Sequence, residues 1–203
     1  PPQLIRFLIV KTKLNQAINF DPSEKDTIPT LFDEYQKAAD AYYKKTNESL
    51  GRIFELSQVG KERKPPIVRF SVLSQWVQMP NMEKAIKKEG LKEWEKYARI
   101  WVEKYAPESE KFLVQKQLPS AAKNLSEKQK EFLQKIASEL NRTRNAEEFQ
   151  EKLYEWSKEI NLSSKDAFSA IYLSLIGKDH GPKAGWLILS LDKGFVKKRF
   201  NET

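Results

Sequence analysis

The 203 residues are enough to bury one large hydrophobic core or two small ones, and 39% hydrophobic with 32% charged residues is typical of a soluble globular protein. The absence of cysteine excludes disulfide bonds and thiolate metal sites, and a single histidine excludes an ordinary zinc centre. A net charge of +8 favours a polyanionic partner, and no apolar run approaches the roughly 20 residues that span a bilayer.

Apolar residues recur at helical spacing along the first third of the chain. The clearest stripe there comprises Leu31, Tyr35, Ala38, Ala39 and Tyr42. The segment 44–51 that follows is predicted to be a poor core segment, and residues 59–66 combine charge with two prolines, which is typical of a linker. We therefore predict a boundary near residue 62, which divides a helical connecting segment, 1–62, from a second domain, 63–203.

Further helices are predicted in the middle of the chain. Their stripes include Trp94, Ala98, Trp101 and Tyr105, then Phe132, Leu133, Ile136 and Leu140, then Phe149, Leu153, Trp156 and Ile160. Ser126 with Gln129 and Asn145 with Glu148 have the spacing of helix starts. The stripe position of Trp156 favours a core role over stacking on a ligand. No strand pattern competes, so the predicted fold class is all-α.

The carboxyl end predicts three short helices joined by tight corners. Ser163 caps the first, and Gly177 ends it. Gly181 and Pro182 open the second, because proline is tolerated where the first helical N–H has no partner. Asp192 caps the third. We expect Gly181 to supply only freedom to turn, so that its substitution leaves the neighbouring helices intact, and we expect the first N–H groups after it to face a ligand.

The basic excess lies in two parts of the chain. Residues 66–123 carry 11 basic and 7 acidic side chains, and residues 162–203 carry 7 and 4. Helices rich in lysine and glutamate are also ordinary solvated faces, so the charge alone does not identify a ligand.

No enzyme site is evident. The seven glycines are scattered and form no phosphate-binding loop. His180 follows Asp179, but no serine or cysteine nucleophile accompanies the pair in an elbow motif. The neighbouring carboxylates Glu147 and Glu148 lie at a predicted helix start, where they complement the helix dipole, so they need no catalytic explanation. We therefore predict no catalytic residue, no metal site and no cofactor, and interpret the chain as a binding protein.

Three segments carry a family resemblance. The turn LIGKDHGP, residues 175–182, followed by a lysine and a tryptophan, resembles the close of the anticodon-binding domain in class I lysyl- and glutamyl-tRNA synthetases. Residues 6–21 and 27–43 resemble the segment after the catalytic signature loop of class I lysyl-tRNA synthetases, and PPIVRFSVLSQWVQMPN, residues 65–81, resembles a helix of their anticodon domain. The ATP-site motifs HIGH and KMSKS are absent, so the resemblance implies a C-terminal fragment without the catalytic domain.

The resemblance implies a helical cage over 63–203 that binds the anticodon of lysine tRNA. In that interpretation Lys178 and Lys183 neutralise phosphates, His180 or Trp186 stacks a base, and Gly181 with Pro182 lies where the anticodon enters. Arg69 and Gln75, predicted to lie within an apolar helix, would hydrogen-bond uracil edges, although a neighbouring carbonyl would satisfy either of them equally. For Trp186, a core position is an open alternative to stacking. The parent enzyme would use ATP and Mg²⁺.

Two alternatives remain open at this point. One is the anticodon domain of a glutamyl-type class I synthetase, and the other is a helical module that binds an acidic protein. We expect a cytoplasmic protein with no DNA or membrane partner. The sequence does not fix the oligomeric state, for which we expect a monomer.

Overall fold

The computed structural model describes residues 1–60, 64–142 and 145–203, and over these ranges it contains eleven α-helices, two short 3-10 helices and no β-strand. The all-α prediction is confirmed. Within the same ranges, no helix is both long and apolar enough to cross a lipid bilayer.

The chain folds into two units, each of which packs mainly on itself. Unit 1 comprises Pro1–Val77 and Glu83–Lys111, and unit 2 comprises Gln78–Met82 and Phe112–Thr203. The predicted boundary near residue 62 lies outside the described residues. The division into 1–62 and 63–203 therefore stays a prediction.

Unit 1 contains six α-helices. They are α1 (Pro2–Lys11), α2 (Thr27–Lys44), α3 (Glu48–Ser57), α4 (Phe70–Trp76), α5 (Glu83–Lys88) and α6 (Lys92–Lys104). Helices α1, α2 and α3 pack on one another, while α4 packs on α2 and α6. The rings of Phe32 and Phe70 stack with centroids 3.9 Å apart and join the two groups. These buried aromatic side chains provide much of the apolar surface that unit 1 removes from water.

The segment 44–51 is mostly exposed, as predicted, but it contributes to packing at its last residue. Asn47 caps α3 through a bond to the Leu50 N–H, and Gly51 is buried against α2. A Cβ at Gly51 would lie 3.1 Å from the Tyr42 Cα, so the absence of a side chain lets the two helices approach closely. The prediction of a poor core segment is confirmed for residues 44–49, which are exposed, while Gly51 contributes to packing by leaving space, which a hydrophobic pattern does not record.

Unit 2 contains five α-helices. They are α7 (Glu127–Glu139), α8 (Ala146–Glu159), α9 (Ser164–Ile176), α10 (Ala184–Ser190) and α11 (Lys193–Asn201). Helix α9 packs against the other four, and α7 also packs against α11 while α8 packs against α10. The predicted starts at Ser126, Asn145, Ser163 and Asp192 are confirmed, since each side chain accepts a hydrogen bond from a first-turn N–H. Trp156 is buried, as predicted.

Helices α8 and α10 approach each other closely at Gly185. A Cβ at Gly185 would lie 2.5 Å from the Ala146 carbonyl oxygen and 3.0 Å from the Gln150 backbone nitrogen. Both atoms belong to the backbone at the start of α8 and cannot move aside as a side-chain end can. The Gly185 N–H also donates to Gln150 Oε1 at 2.9 Å, so the contact is bonded as well as close.

We expect Gly185→Ala to lower the free energy of unfolding by about 2–3 kcal/mol, because the added methyl overpacks a contact between two backbones. Urea denaturation followed by circular dichroism measures the change. Ser138→Ala, on the exposed face of α7, is the control and should change stability by less than about 0.5 kcal/mol. An alanine variant at 185 as stable as the parent would contradict the close approach of α8 and α10.

Candidate nucleic-acid interface

The corner between α9 and α10 carries most of the predicted binding residues. Helix α9 ends at Gly177, which adopts φ 72° and donates its N–H to the Tyr172 carbonyl at 3.0 Å. Glycine occupies this left-handed position without the steric cost that a side chain would add. The chain therefore turns sharply, and residues 178–183 follow as an irregular loop.

Tyr172 of α9 holds the loop in position from the buried side. Its hydroxyl donates to the Pro182 carbonyl at 2.8 Å, and burial raises the pKa of Tyr172 to about 12. A Cβ at Gly181 would lie 2.8 Å from the Tyr172 ring and 2.9 Å from Ile176 Cδ1. The expectation that Gly181 could be substituted without disturbing the neighbouring helices was wrong, because Gly181 packs on the buried face of α9.

Helix α10 begins two residues later than predicted. Pro182 is buried ahead of the helix, Lys183 is the N-cap with extended ψ, and Ala184 is the first helical residue. The bond from Tyr172 holds the Pro182 carbonyl outside the helix, which accounts for the later start. Of the N–H groups expected to face a ligand, that of Gly185 is already bonded to Gln150.

The cationic side chains of the corner lie beside aromatic rings. Lys178 Nζ is 5.8 Å from the centre of the Phe112 ring, and Lys183 Nζ is 4.9 Å from that of Trp186. Lys183 is exposed, and Lys178 and Trp186 are half-buried. A cation over an aromatic face is weakly held where water reaches it, so these ring contacts do not prevent either ammonium group from pairing with an anion.

His180 is exposed and adjoins the carboxylate of Asp179 in the same loop. Nδ1 and Oδ1 are 2.6 Å apart, and this hydrogen bond lowers the pKa of Asp179. Because an ionised carboxylate only accepts, Nδ1 carries the proton, and Nε2 is the acceptor when the ring is neutral. The neutral histidine ring therefore presents Nε2 as a hydrogen-bond acceptor to a ligand.

A buried arginine ties the corner to an irregular segment at residues 112–119. Arg199, 2% exposed, donates to the carbonyls of Ser174, Gln115 and Lys116 at 2.7–2.9 Å. The Gln115 N–H donates in turn to the Leu175 carbonyl at 2.8 Å. Carbonyls at the end of α9 thus receive partners from outside the helix, as a buried helix end requires.

Sequence reasoning missed Arg199 and Phe112. The position of Arg199, three residues after buried Val196 on the inner face of α11, was a usable indication of burial. No sequence pattern indicated the role of Phe112, because it belongs to no helix and contacts Lys178 and His180 only in the folded chain.

Arg69 and Gln75 lie in unit 1, whereas the other predicted residues lie in unit 2. Arg69 is the exposed N-cap of α4, not a residue within the helix as predicted, and Gln75 is half-buried near the end of that helix. The predicted base contacts of both residues stay predictions.

Comparison with known proteins gives a consistent result. A family model described as an anticodon binding domain matches residues 77–203. The chain is 34% identical, over 98% of its length, to a lysine–tRNA ligase of Thermoplasma acidophilum, and 34% identical, over its whole length, to lysine–tRNA ligase 1 of Methanosarcina acetivorans. A lysine–tRNA ligase of Archaeoglobus fulgidus is 30% identical over 98% of the chain. The chain spans 42%, 44% and 41% of these three proteins.

We expect Gly181→Ala to lower the free energy of unfolding by about 2 kcal/mol, because Tyr172 is anchored and cannot yield to the new methyl. Urea denaturation again provides the measurement. Asp179→Ala, an exposed change in the same loop, should leave stability within about 0.5 kcal/mol of the parent. Equal stability of the two variants would show that Gly181 is a turn residue alone.

We expect Arg199→Met to lower the free energy of unfolding by about 3 kcal/mol, since it leaves three carbonyl oxygens without their charged donor. Arg199→Lys should recover only part of the loss, because an ammonium group lacks the planar fork that reaches three acceptors. Lys198→Met, at the exposed neighbouring position, is the matched control. A loss no larger than that of the control would exclude a structural role for the guanidinium.

Proposed function

Because the chain belongs to the anticodon-binding domain family, we propose that unit 2 binds the anticodon loop of a tRNA that accepts lysine. The family match over residues 77–203 carries this proposal, since it covers all of unit 2, together with Glu83–Lys111 of unit 1. The lysine identity of the tRNA rests on the relatives named above, which are lysine–tRNA ligases.

The chemistry of the corner supports an RNA partner. Lys178 and Lys183 neutralise phosphates, while the rings of His180 and Trp186 lie beside them to meet bases. Single-stranded loops are recognised by this combination, because their unstacked bases expose both a flat face and a pairing edge. Gly181 and Pro182 shape the corner through the contacts to Tyr172, and Arg69 and Gln75 are proposed to contact uracil edges from unit 1.

The chain spans less than half of each relative named above, so the whole reaction is attributed to a longer protein. In this proposal the chain holds the tRNA, and the remainder of a lysine–tRNA ligase uses ATP, Mg²⁺ and lysine. The chain by itself activates no amino acid, because it lacks both ATP-site motifs. Cytoplasmic location and the monomeric state stay predictions.

Two alternative functions have less support than anticodon binding by a lysine-specific domain. A glutamyl-type domain would share the fold, but the relatives named above are lysine enzymes. A module for an acidic protein would use the same lysines. It would not distinguish one tRNA anticodon from another, so binding to matched and altered tRNAs separates it from the proposed function.

We expect the 203-residue chain to bind a lysine tRNA more tightly than the same tRNA with an altered anticodon, with log affinity falling linearly as log salt rises. Lys178→Ala and Lys183→Ala should each reduce the salt slope by about one unit, because each removes one phosphate contact. Fluorescence anisotropy over a salt series measures both quantities.

Lys158→Ala is the control for charge, because Lys158 is exposed on α8 in the same unit. It should leave the slope unchanged. Equal affinity for the two tRNAs would refute anticodon recognition, and an unchanged slope in both corner variants would remove Lys178 and Lys183 from the interface.

A further inference from the structure

Phe112 and Leu113 form an apolar pair beside the basic corner. Phe112 is half-buried, with Lys178 Nζ 5.8 Å from its ring centre and the His180 ring edge-on at 6.4 Å. Leu113 is 73% exposed. An isolated exposed leucine is ordinary, but a half-buried ring that already attracts a cation is an apolar group with positive charge beside it.

The segment that carries this pair is held rigidly although it contains no helix or strand. The Phe112 N–H donates to Gln78 Oε1 at 2.8 Å, the Gln115 N–H donates to Leu175, and Arg199 holds the carbonyls of Gln115 and Lys116. A surface fixed before binding loses little conformational entropy when a ligand arrives. Irregular segments on rigid supports are common positions for binding residues.

Basic side chains outnumber acidic ones in the segment that carries the pair and in the corner loop. Residues 112–119 and 177–183 together contain three lysines, Lys116, Lys178 and Lys183, against one carboxylate, Asp179. Unpaired nucleotides present an apolar base face within a few ångströms of a phosphate, so a ring with the Lys178 ammonium group beside it matches both parts. An acidic peptide would satisfy the lysines but has no flat face for the ring.

We propose that Phe112 stacks on one unpaired base of the anticodon loop and that Lys178 pairs with an adjacent phosphate. Phe112 is thus a base-contacting residue outside the corner loop. This inference rests on the proposed function, because the base it contacts belongs to the tRNA proposed there.

The test measures stacking directly. A series of lysine-tRNA anticodon stem-loops carries 2-aminopurine at one unpaired position at a time, and stacking on an aromatic ring quenches its fluorescence. Binding to the parent chain should quench one position strongly. Phe112→Leu should abolish that quenching and weaken binding about tenfold, the size of one lost base stack, without changing the salt slope.

Two further variants separate stacking from folding. Phe112→Trp should restore both quenching and affinity. Phe168→Leu removes another half-buried ring of unit 2, which lies 4.7 Å from the Tyr154 ring, and should leave quenching and affinity unchanged. Circular dichroism melting checks that each variant is folded.

The outcomes are distinguishable. Failure of the parent chain to bind the stem-loops overturns the proposed function. Binding without quenching at any labelled position, or Phe112→Leu binding with parental affinity, overturns the stacking role alone. Binding of oligoglutamate that falls with Phe112→Leu would assign the surface to a protein partner and also overturn it.

Discussion

The guanidinium of Arg199 holds together three parts of unit 2 that sequence separates widely. It donates to Ser174 near the end of α9 and to Gln115 and Lys116, more than 80 residues from it along the chain. Burial lowers the pKa of this group, yet an arginine stays charged at neutral pH. A buried charge is costly unless it is bonded, and here the carbonyls supply the compensation. The corner and segment 112–119 depend on this arrangement for their fixed positions.

The side chains of the corner that pack in the interior are not those proposed to bind RNA. Tyr172, Gly181 and Pro182 lie inward and determine the course of the backbone, while Lys183 and His180 lie outward in water. Because it is exposed, Lys183 contributes little to the folding free energy. Its contact with the Trp186 ring keeps this long side chain near the surface without a buried bond, which suits a group proposed to change partners on binding.

Local chemistry determined which features could be predicted from sequence. The starts at Ser126, Asn145, Ser163 and Asp192 were predictable because each cap bonds to N–H groups two or three residues away. The end of α9 at Gly177 was predictable for the same reason. The stripe containing Trp156 identified buried positions because helical periodicity reports which face is covered.

Features that depend on distant residues were missed. Gly51 and Gly181 have their roles because α2 and α9 lie against them, and glycine leaves no hydrophobic pattern. Phe112 meets Lys178 across 66 residues of sequence, and the late start of α10 depends on the Tyr172 hydroxyl. For the proposed binding site, the lysines and the turn were suggested by resemblance, whereas the hydrogen-bonded support and the neighbouring ring required the fold.

Unit 2 is discontinuous, and this has a consequence for synthesis on the ribosome. Asn81, which adopts φ 58°, donates through its side chain to the Ser190 carbonyl at 2.8 Å, and Gln78 accepts from Phe112. Unit 1 is complete once residue 111 has emerged, but residues 78–82 must wait for α10. At ordinary elongation rates of about 5–20 residues per second, that delay is roughly 5–20 s. During this interval Met79 and Met82, both buried in the folded chain, have no finished core to enter. The nascent chain thus passes through a stage in which one unit is closed while a short apolar segment of the other remains open to chaperones.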